Sequence, residues 1–253
     1  FLKKQHRLIN KHRLLPAAVK HTKDRMMVQA LLNNSESLIT FDNQVELFTD
    51  GHVKFAHLID DLNHAQSMIS LEYYTFYDDG LGKRVLQALE KAASRGVKVR
   101  VLYDASGSRG TKPSFFAHLR ELGGDAQPFV SAPAHWFMTP RMNYHLHRKL
   151  VIIDHQVGYI GGFNIGDQYL GLAPKFGYWR DTHLRVAGQA AQIMEVRFAM
   201  DWNTSCRLSK LPKMNLDHTL GSFTIKRPTS EDMQRHEFVP MQIVSSGPDN
   251  QRF

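Results

Sequence analysis

Tyr144-His145-Leu146-His147-Arg148-Lys149-Leu150-Val151-Ile152-Ile153-Asp154, running on to Gly161-Gly162-Phe163-Asn164, is the stretch that decides the fold. Leu150 to Ile153 is apolar at every position, as in a strand covered on both sides. His155-Gln156 reads as a two-residue turn into a second strand, Val157 to Ile160. The hairpin is therefore expected in the middle of a sheet. Side chains alternate along a strand, so His147 and Lys149 share a face at its opening, toward a cavity. Asp154 closes the strand where an Asp bonds local backbone amides. Gly161-Gly162 ends the second strand and permits close backbone approach. Asn164 then presents an amide.

These groups suit attack on a phosphodiester. An imidazole near its ordinary pKa of about 6.5 serves as nucleophile or proton carrier at neutral pH. A lysine on the same face supplies a compact positive charge for phosphate oxygens. An Asn amide adds donors where charge develops. A bare H-x-K is better read as a surface pair on an edge strand. The following Asp and the Gly-Gly-x-Asn favour the phosphate reading.

His147-x-Lys149-x4-Asp154 with Gly161-Gly162-Phe163-Asn164 resembles the HKD motif of the phospholipase D superfamily. The runs Gly162 to Gly171 and Lys175 to Val186, with Leu71-Glu72-Tyr73-Tyr74, are similar to bacterial cardiolipin synthases in particular. The resemblance spans Leu38 to Trp202. It departs at His145 and Leu146, where the family has Arg and Asn, which bears on local substrate contacts. It implies an α/β, phospholipase D-like domain: a mixed, mostly parallel β-sheet flanked by helices on both faces, one repeat of a two-repeat architecture. It implies a catalytic set of His147, Lys149, Asp154 and Asp181. His147 is the nucleophile, Lys149 and Asn164 hold phosphate oxygens, and Asp154 belongs to the signature in a structural part. A nucleophilic His needs a carboxylate on its other ring nitrogen, and the family's orienting acid follows the motif at about the distance of Asp181. Glu72 and Gly162 are expected in supporting roles close to the site.

Composition fits this class. The 253 residues suffice for one α/β domain with a sizeable core. One cysteine, Cys206, excludes an internal disulfide and fits a cytoplasmic face. The 14 histidines form no H-E-x-x-H and no Cys/His ligand cluster, so no metal and no cofactor are expected. Residues 1–25 carry eight Lys and Arg against Asp24 alone, a net +7 out of +8 for the chain. Such a block is drawn to anionic lipid by about 1 kcal/mol per charge; a nucleic-acid arm or a solvated helix has the same composition. No apolar run reaches the roughly 20 residues of a membrane span. The resembled family carries hydrophobic segments before such a basic stretch, so this chain reads as a piece beginning just after them, at the cytoplasmic face of the cell membrane.

Four segments are expected: 1–37, a basic linker helix; 38–205, the catalytic repeat; 206–238, a linker; and 239–253, the start of a second repeat. That last reading rests on Met241 to Pro248 echoing Val45 to Gly51. Helical spacing of Phe55, Leu58, Ile59 and Leu62 predicts a helix over 52–65. His52-x-Lys54 on it imitates the motif and reads as a solvated face. Glu72 lies in a core strand, 67–76, and must be paired or line a site, since an unpaired buried carboxylate is costly. Strand, helix 81–95 and strand 97–103 form a parallel βαβ unit. The loop Ser106 to Gly110 is a weak phosphate candidate. Residues 131–141, with Trp136 and Phe137, are candidates for dipping into a lipid interface. Helix 188–203 should turn Ile193, Val196, Phe198 and Met200 inward.

The function implied is a phosphatidyltransferase making cardiolipin from two phosphatidylglycerol molecules through a phosphatidyl-histidine. This chain supplies half of the site, beside a second HKD repeat in cis or a homodimer partner. Anionic phospholipid and the membrane surface are the expected partners. The alternatives are a homodimeric single-motif phosphodiesterase or nuclease and an inactive lipid-binding fragment; the cardiolipin-type run argues against nucleic acid.

Overall fold

The hairpin read from Leu150 to Ile160 lies inside a seven-stranded sheet of order β2-β8-β7-β6-β3-β4-β5. The computed structural model describes residues 24–35, 37–129, 146–206, 209, 211–215 and 239–245. The basic segment before residue 24, the 131–141 loop and most of the 206–238 linker lie outside the described residues.

In chain order the elements are α1 (Arg25–Ser35), β1 (Ile39–Thr40), β2 (Asn43–Asp50), α2 (Gly51–His64), β3 (Met68–Tyr73) and α3 (Gly80–Ser94). There follow β4 (Lys98–Tyr103), α4 (Ala117–Glu121), β5 (Asp125–Pro128), β6 (Lys149–Ile153), β7 (Val157–Gly161), β8 (Arg180–Gly188), α5 (Gln189–Ser205) and β9 (Met241–Gln242). Helix starts carry their own signals. Asp50 caps α2 by accepting from the Val53 amide, and Asp79 caps α3 by accepting from the Gly82 amide. Gly96, at φ 89°, turns the chain out of α3 into β4.

The sheet is mixed, as expected, but not mostly parallel. Only β3/β4 and β4/β5 run parallel. β6 returns antiparallel on β3, and β7, β8 and β2 continue antiparallel. A loop as short as that between β6 and β7 can only reverse the chain. It holds three residues rather than two, because Ile153 pairs with Val157.

Helices cover both faces. α2, α3 and α4 pack on one through Phe55, Leu58, Val85, Leu89 and Leu119. α5 packs on the other through Met194, Phe198 and Trp202. Its buried face includes Glu195 and Asp201, whereas Ile193, Val196 and Met200 are only half-buried. The inward face expected from apolar residues is thus rotated, and of the four only Phe198 is buried. Apart from the main sheet, β9 pairs antiparallel with β1, which sets the start of the 239–253 segment beside the start of the repeat.

Asp154 fastens the motif strand at its far end. Its carboxylate accepts from the amides of Gln66, Ser67 and Met68, at 2.8, 2.7 and 3.0 Å, and from the Ser67 hydroxyl at 2.8 Å. It adopts φ 50° at the head of the turn. Asn and Asp tolerate that left-handed conformation better than other side chains. Burial pushes its carboxyl up, but these donors outweigh burial and hold it below the usual carboxylate range. Its role is to join the β6–β7 turn to the start of β3.

Asp154→Ala is expected to cost about 2 kcal/mol of folding stability near neutral pH, the scale of hydrogen bonds to a charged group. A depressed folded pKa adds stability above the unfolded value of about 3.9 and loses it as pH falls through the folded value. Urea titrations should therefore show the gap between variant and wild type closing below about pH 4. A gap independent of pH would assign the loss to packing instead.

Candidate active site

Register decides which face each motif residue occupies. Lys149 lies opposite Tyr73, and Leu150 opposite Glu72. Directly opposed residues share a face. Lys149 therefore stands on the α2/α3 side, and by alternation His147 precedes it on that side. Leu150, and Leu146 with it, belong to the α5 side. His147 is exposed and Lys149 half-buried, at the opening of β6.

Several groups hold this opening. The Asp104 carboxylate, just past β4, accepts the Leu146 amide at 2.9 Å. The same carboxylate ties down the Ser106 and Gly107 amides. Burial pushes Asp104 up, but hydrogen bonds from Ser106, Leu146 and Gly107 outweigh it and hold the carboxyl below its usual range. Ser108 Oγ donates to the Tyr74 carbonyl and accepts the Phe76 amide. The Ser106–Gly110 loop is thus a brace. Gly107 packs so closely under Tyr74 that an added Cβ would lie 2.3 Å from the Tyr74 carbonyl oxygen. Tyr74 in turn stacks on His147, with ring centroids 4.3 Å apart. The Lys149 ammonium lies 5.4 Å from the Tyr74 ring centroid and donates to the His147 carbonyl at 2.6 Å. Burial pulls Lys149 below the usual lysine range, and the Asp181 charge partly restores it.

Asn164 and Asp181 come from the chain after β7. Residues 164–165 zip onto the end of β3: Ile165 bridges Phe76, and the Asn164 Oδ1 accepts the Thr75 amide at 3.1 Å. Asn164 Nδ2 donates to the Tyr169 hydroxyl at 2.9 Å. Its carbonyl is thus spent on structure, and the second Nδ2 hydrogen is what it can offer a phosphate. Asp167 accepts from the Gly80 and Leu81 amides while Asp79 accepts from the Asp167 amide, so this segment is clasped to the start of α3. Asp181, on β8, lies against Gly162: a Cβ there would sit 1.9 Å from Asp181 Oδ1. Oδ1 also accepts the Thr182 amide at 2.7 Å. Gly162 supports the site by being small. His147, Lys149, Asn164, Gly162 and Asp181 gather at one edge of the sheet, whereas Asp154 closes the opposite end of β6.

Glu72 is not close to His147 in the way expected. It shares the reverse face with Leu150 and is fully buried. Both carboxylate oxygens lack a hydrogen-bond partner among the described residues. Burial raises its pKa well above the usual value; Asp201 adds to this, and Arg148 and Arg197 oppose it. Arg148, the residue between His147 and Lys149, points to that same side and donates to Asp201 at 2.7 Å. Arg197 also pairs with Asp201. Glu72 thus backs the motif strand rather than lining the site.

Lys54, expected on a solvated helix face, is fully buried. Its ammonium nitrogen donates to the Tyr73 hydroxyl at 2.8 Å and lies 3.6 Å from the Phe55 ring centroid. Burial lowers its pKa well below the usual value. His183 is buried beside it, neither ring nitrogen bonded among the described residues; burial, Lys54 and Lys149 all lower its pKa. Among the described residues no group of three or more His, Cys, Asp or Glu is placed to hold a metal.

Residues 58–202 match the family model described as "Cardiolipin synthase, PLD-like domain". The chain is 48% identical over 229 residues to a cardiolipin synthase of Listeria monocytogenes, covering 90% of this chain and 45% of that protein. It is 42% identical over 227 residues to cardiolipin synthase 2 of Staphylococcus epidermidis, covering 90% of this chain and 44% of that one. The chain thus spans somewhat under half the length of these relatives. Among solved structures it resembles a phosphatidylserine synthase of Haemophilus influenzae, with TM-score 0.51 and 14% identity over 86% of this chain and 49% of that one. It also resembles NucT of Helicobacter pylori, with TM-score 0.50 and 17% identity over 64% of this chain and 98% of that one. At such identities these two show the fold.

An acid whose folded pKa is raised destabilises the fold as pH climbs from the unfolded value, about 4.3 for Glu, toward the folded one. Wild-type stability should therefore fall over that window, and Glu72→Gln should remove that slope. Urea midpoints from pH 5 to pH 9 check this. Parallel curves for the two proteins would mean that Glu72 is ionised and paired throughout.

Proposed function

The chain belongs to the cardiolipin synthase family with a PLD-like domain, and we propose that it carries the nucleophile-bearing half of a phosphatidyltransferase. The observation that carries this reading is an exposed His147 stacked on Tyr74, beside a half-buried Lys149 under the influence of Asp181. The substrates are two molecules of phosphatidylglycerol. A His147 ring nitrogen attacks the phosphorus of the first. A P–N bond forms, the P–O bond to glycerol breaks, and glycerol leaves with a proton. The terminal hydroxyl of the second phosphatidylglycerol then attacks that phosphorus. A P–O bond forms, the P–N bond breaks, and the hydroxyl proton passes to a base. One cardiolipin and one glycerol leave, and His147 is restored.

Lys149 and the second Asn164 amide hydrogen stabilise the phosphoryl oxygens as charge builds on them. Asp181 holds the imidazole in the attacking tautomer. The proton donor and base is a second histidine, from a second HKD repeat in cis or from a homodimer partner. Residues 239–253 open that repeat, 206–238 link the two, and 1–37 lie before the catalytic repeat, 38–205. The enzyme works at the cytoplasmic face of the membrane. Among the described residues no helix is long and apolar enough to cross a membrane.

Purified protein supplied with labelled phosphatidylglycerol, alone and mixed with the second-repeat polypeptide, tests this. Cardiolipin and glycerol should form in equal amounts, and His147→Ala should lower turnover by about a thousandfold or more. Acid-labile, base-stable label on the protein should vanish with it. Plasmid nicking without cardiolipin would favour the homodimeric nuclease instead. Because Gly162 is small to admit the Asp181 carboxylate, Gly162→Ala and Asp181→Ala should each slow turnover, and the double variant should be little worse than Asp181→Ala. Additive losses would separate the two residues.

A further inference from the structure

The loop between the 3-10 turn at Asp167–Leu170 and β8 exposes apolar side chains beside the site. Leu172, Phe176 and Tyr178 are 59%, 48% and 73% exposed. Of nine large hydrophobic side chains exposed among the described residues, three fall in this short stretch, which marks it as a patch rather than scatter. From Gly171 to Arg180 the chain carries Lys175 and Arg180 and no acid.

The loop is built to hold these side chains outward. The Leu172 amide donates to the Asp167 carbonyl, and the Phe176 and Gly177 amides donate to the Ala173 carbonyl. Gly171 and Gly177 take φ of 71° and 61°, left-handed positions that close the turn upon itself. An aromatic ladder anchors it. Phe176 meets Trp179 edge-on at 5.9 Å, Trp179 meets Tyr169 at 5.0 Å, and Tyr169 receives the Asn164 amide. The exposed rim is therefore fixed relative to the proposed phosphate site.

We propose that this rim seats the site on an anionic phospholipid bilayer. Leu172, Phe176 and Tyr178 enter the headgroup–acyl boundary, and Lys175 and Arg180 meet the lipid phosphates. Aromatic rings flanked by cations suit that boundary, and the absence of acids in the rim fits a negative surface. The inference rests on the phospholipid reading above, and gives the substrate its route: a lipid enters without leaving the membrane.

The test compares the whole chain with Leu172→Ser/Tyr178→Ser, a pair outside the aromatic ladder. Co-sedimentation uses vesicles of equal phosphatidylglycerol and phosphatidylcholine in 0.5 M salt, where screening to roughly 4 Å suppresses the basic N-terminal segment. The double variant should bind at least about tenfold more weakly, on the scale of two lost apolar side chains. Leu172→Phe/Tyr178→Trp should restore binding, and unchanged thermal midpoints should exclude misfolding. In 0.1 M salt, where both proteins keep the same N-terminal segment, Lys175→Glu should weaken binding to these vesicles but not to pure phosphatidylcholine. Equal vesicle binding by wild type and the serine variant would overturn the proposal. So would loss of association with the second-repeat polypeptide at unchanged vesicle binding, which would make the rim a protein interface. Turnover of a short-chain phosphatidylglycerol below its micelle concentration separates the two readings. Inactivity of the wild type there, even with the second-repeat polypeptide, defeats the phosphatidyltransferase reading, while the vesicle comparison still decides the rim.

Discussion

The two-residue alternation of a β-strand, locked in register by apolar burial, is what the site depends on. Leu146 and Leu150 bury themselves under α5, so His147 and Lys149 must face the other way. A slip of one residue against β3 would put an imidazole and an ammonium into the Phe198–Trp202 core and turn two leucines out. The cost of burying those polar groups unpaired keeps the register single. Asp154 secures the same strand at its other end, where its acceptors gather three successive amides. A residue of the signature thus serves strand placement, at a distance from the proposed chemistry.

Two positive charges near a third would ordinarily be a liability, and the α2/α3 face resolves this by desolvation. Lys54 and His183 are buried, and burial favours their neutral forms. Lys54 then serves as a donor to Tyr73, the residue paired with Lys149 in register. At Lys149 burial likewise favours the neutral form, and the Asp181 charge opposes it. On the reverse face the logic is the same with opposite sign. Glu72 is driven toward its neutral form, while Asp201 gathers Arg148 and Arg197. On both faces burial works against charge, and a nearby counter-ion works for it.

That logic also explains what the sequence made legible. The hairpin, the parallel β3–α3–β4 unit and α2 follow periods of 2 and 3.6, and apolar burial enforces both. Buried charge is invisible to such templates. Lys54 read as solvated because its helix is amphipathic only if that lysine is discounted. The inward face of α5 was misplaced because Glu195 and Asp201 occupy it. Asn164 and Gly162 stand out in the Gly-Gly-x-Asn run and Asp181 through the resemblance; their neighbourhood in space comes from pairing between distant strands. Tyr74 lies in a run that carries the resemblance, but its place beside His147 appears only once β6 returns antiparallel on β3, and Asp104 acquires meaning only once the 146 amide arrives. The expectation of a mostly parallel sheet failed at that same return.

The return has a chemical consequence. Because β6 is antiparallel to β3, its opening lies at the carboxyl ends of β3 and β4, where α/β folds gather their ligands. The end of β7 and the start of β8 reach the same edge, since each strand there reverses the last. So do the starts of α2 and α3: Gly51 packs on the Tyr169 carbonyl, and Gly80 on the Asp167 carboxylate. A helix start carries partial positive charge, so both helices bias this edge toward anions even though their caps are satisfied by Asp50, Asp79 and Asp167. On the proposed reading, a phosphate drawn there meets Lys149 and Asn164 of this repeat. The exposure of His147 then fits the proposal that a second motif closes over the phosphorus from the opposite side.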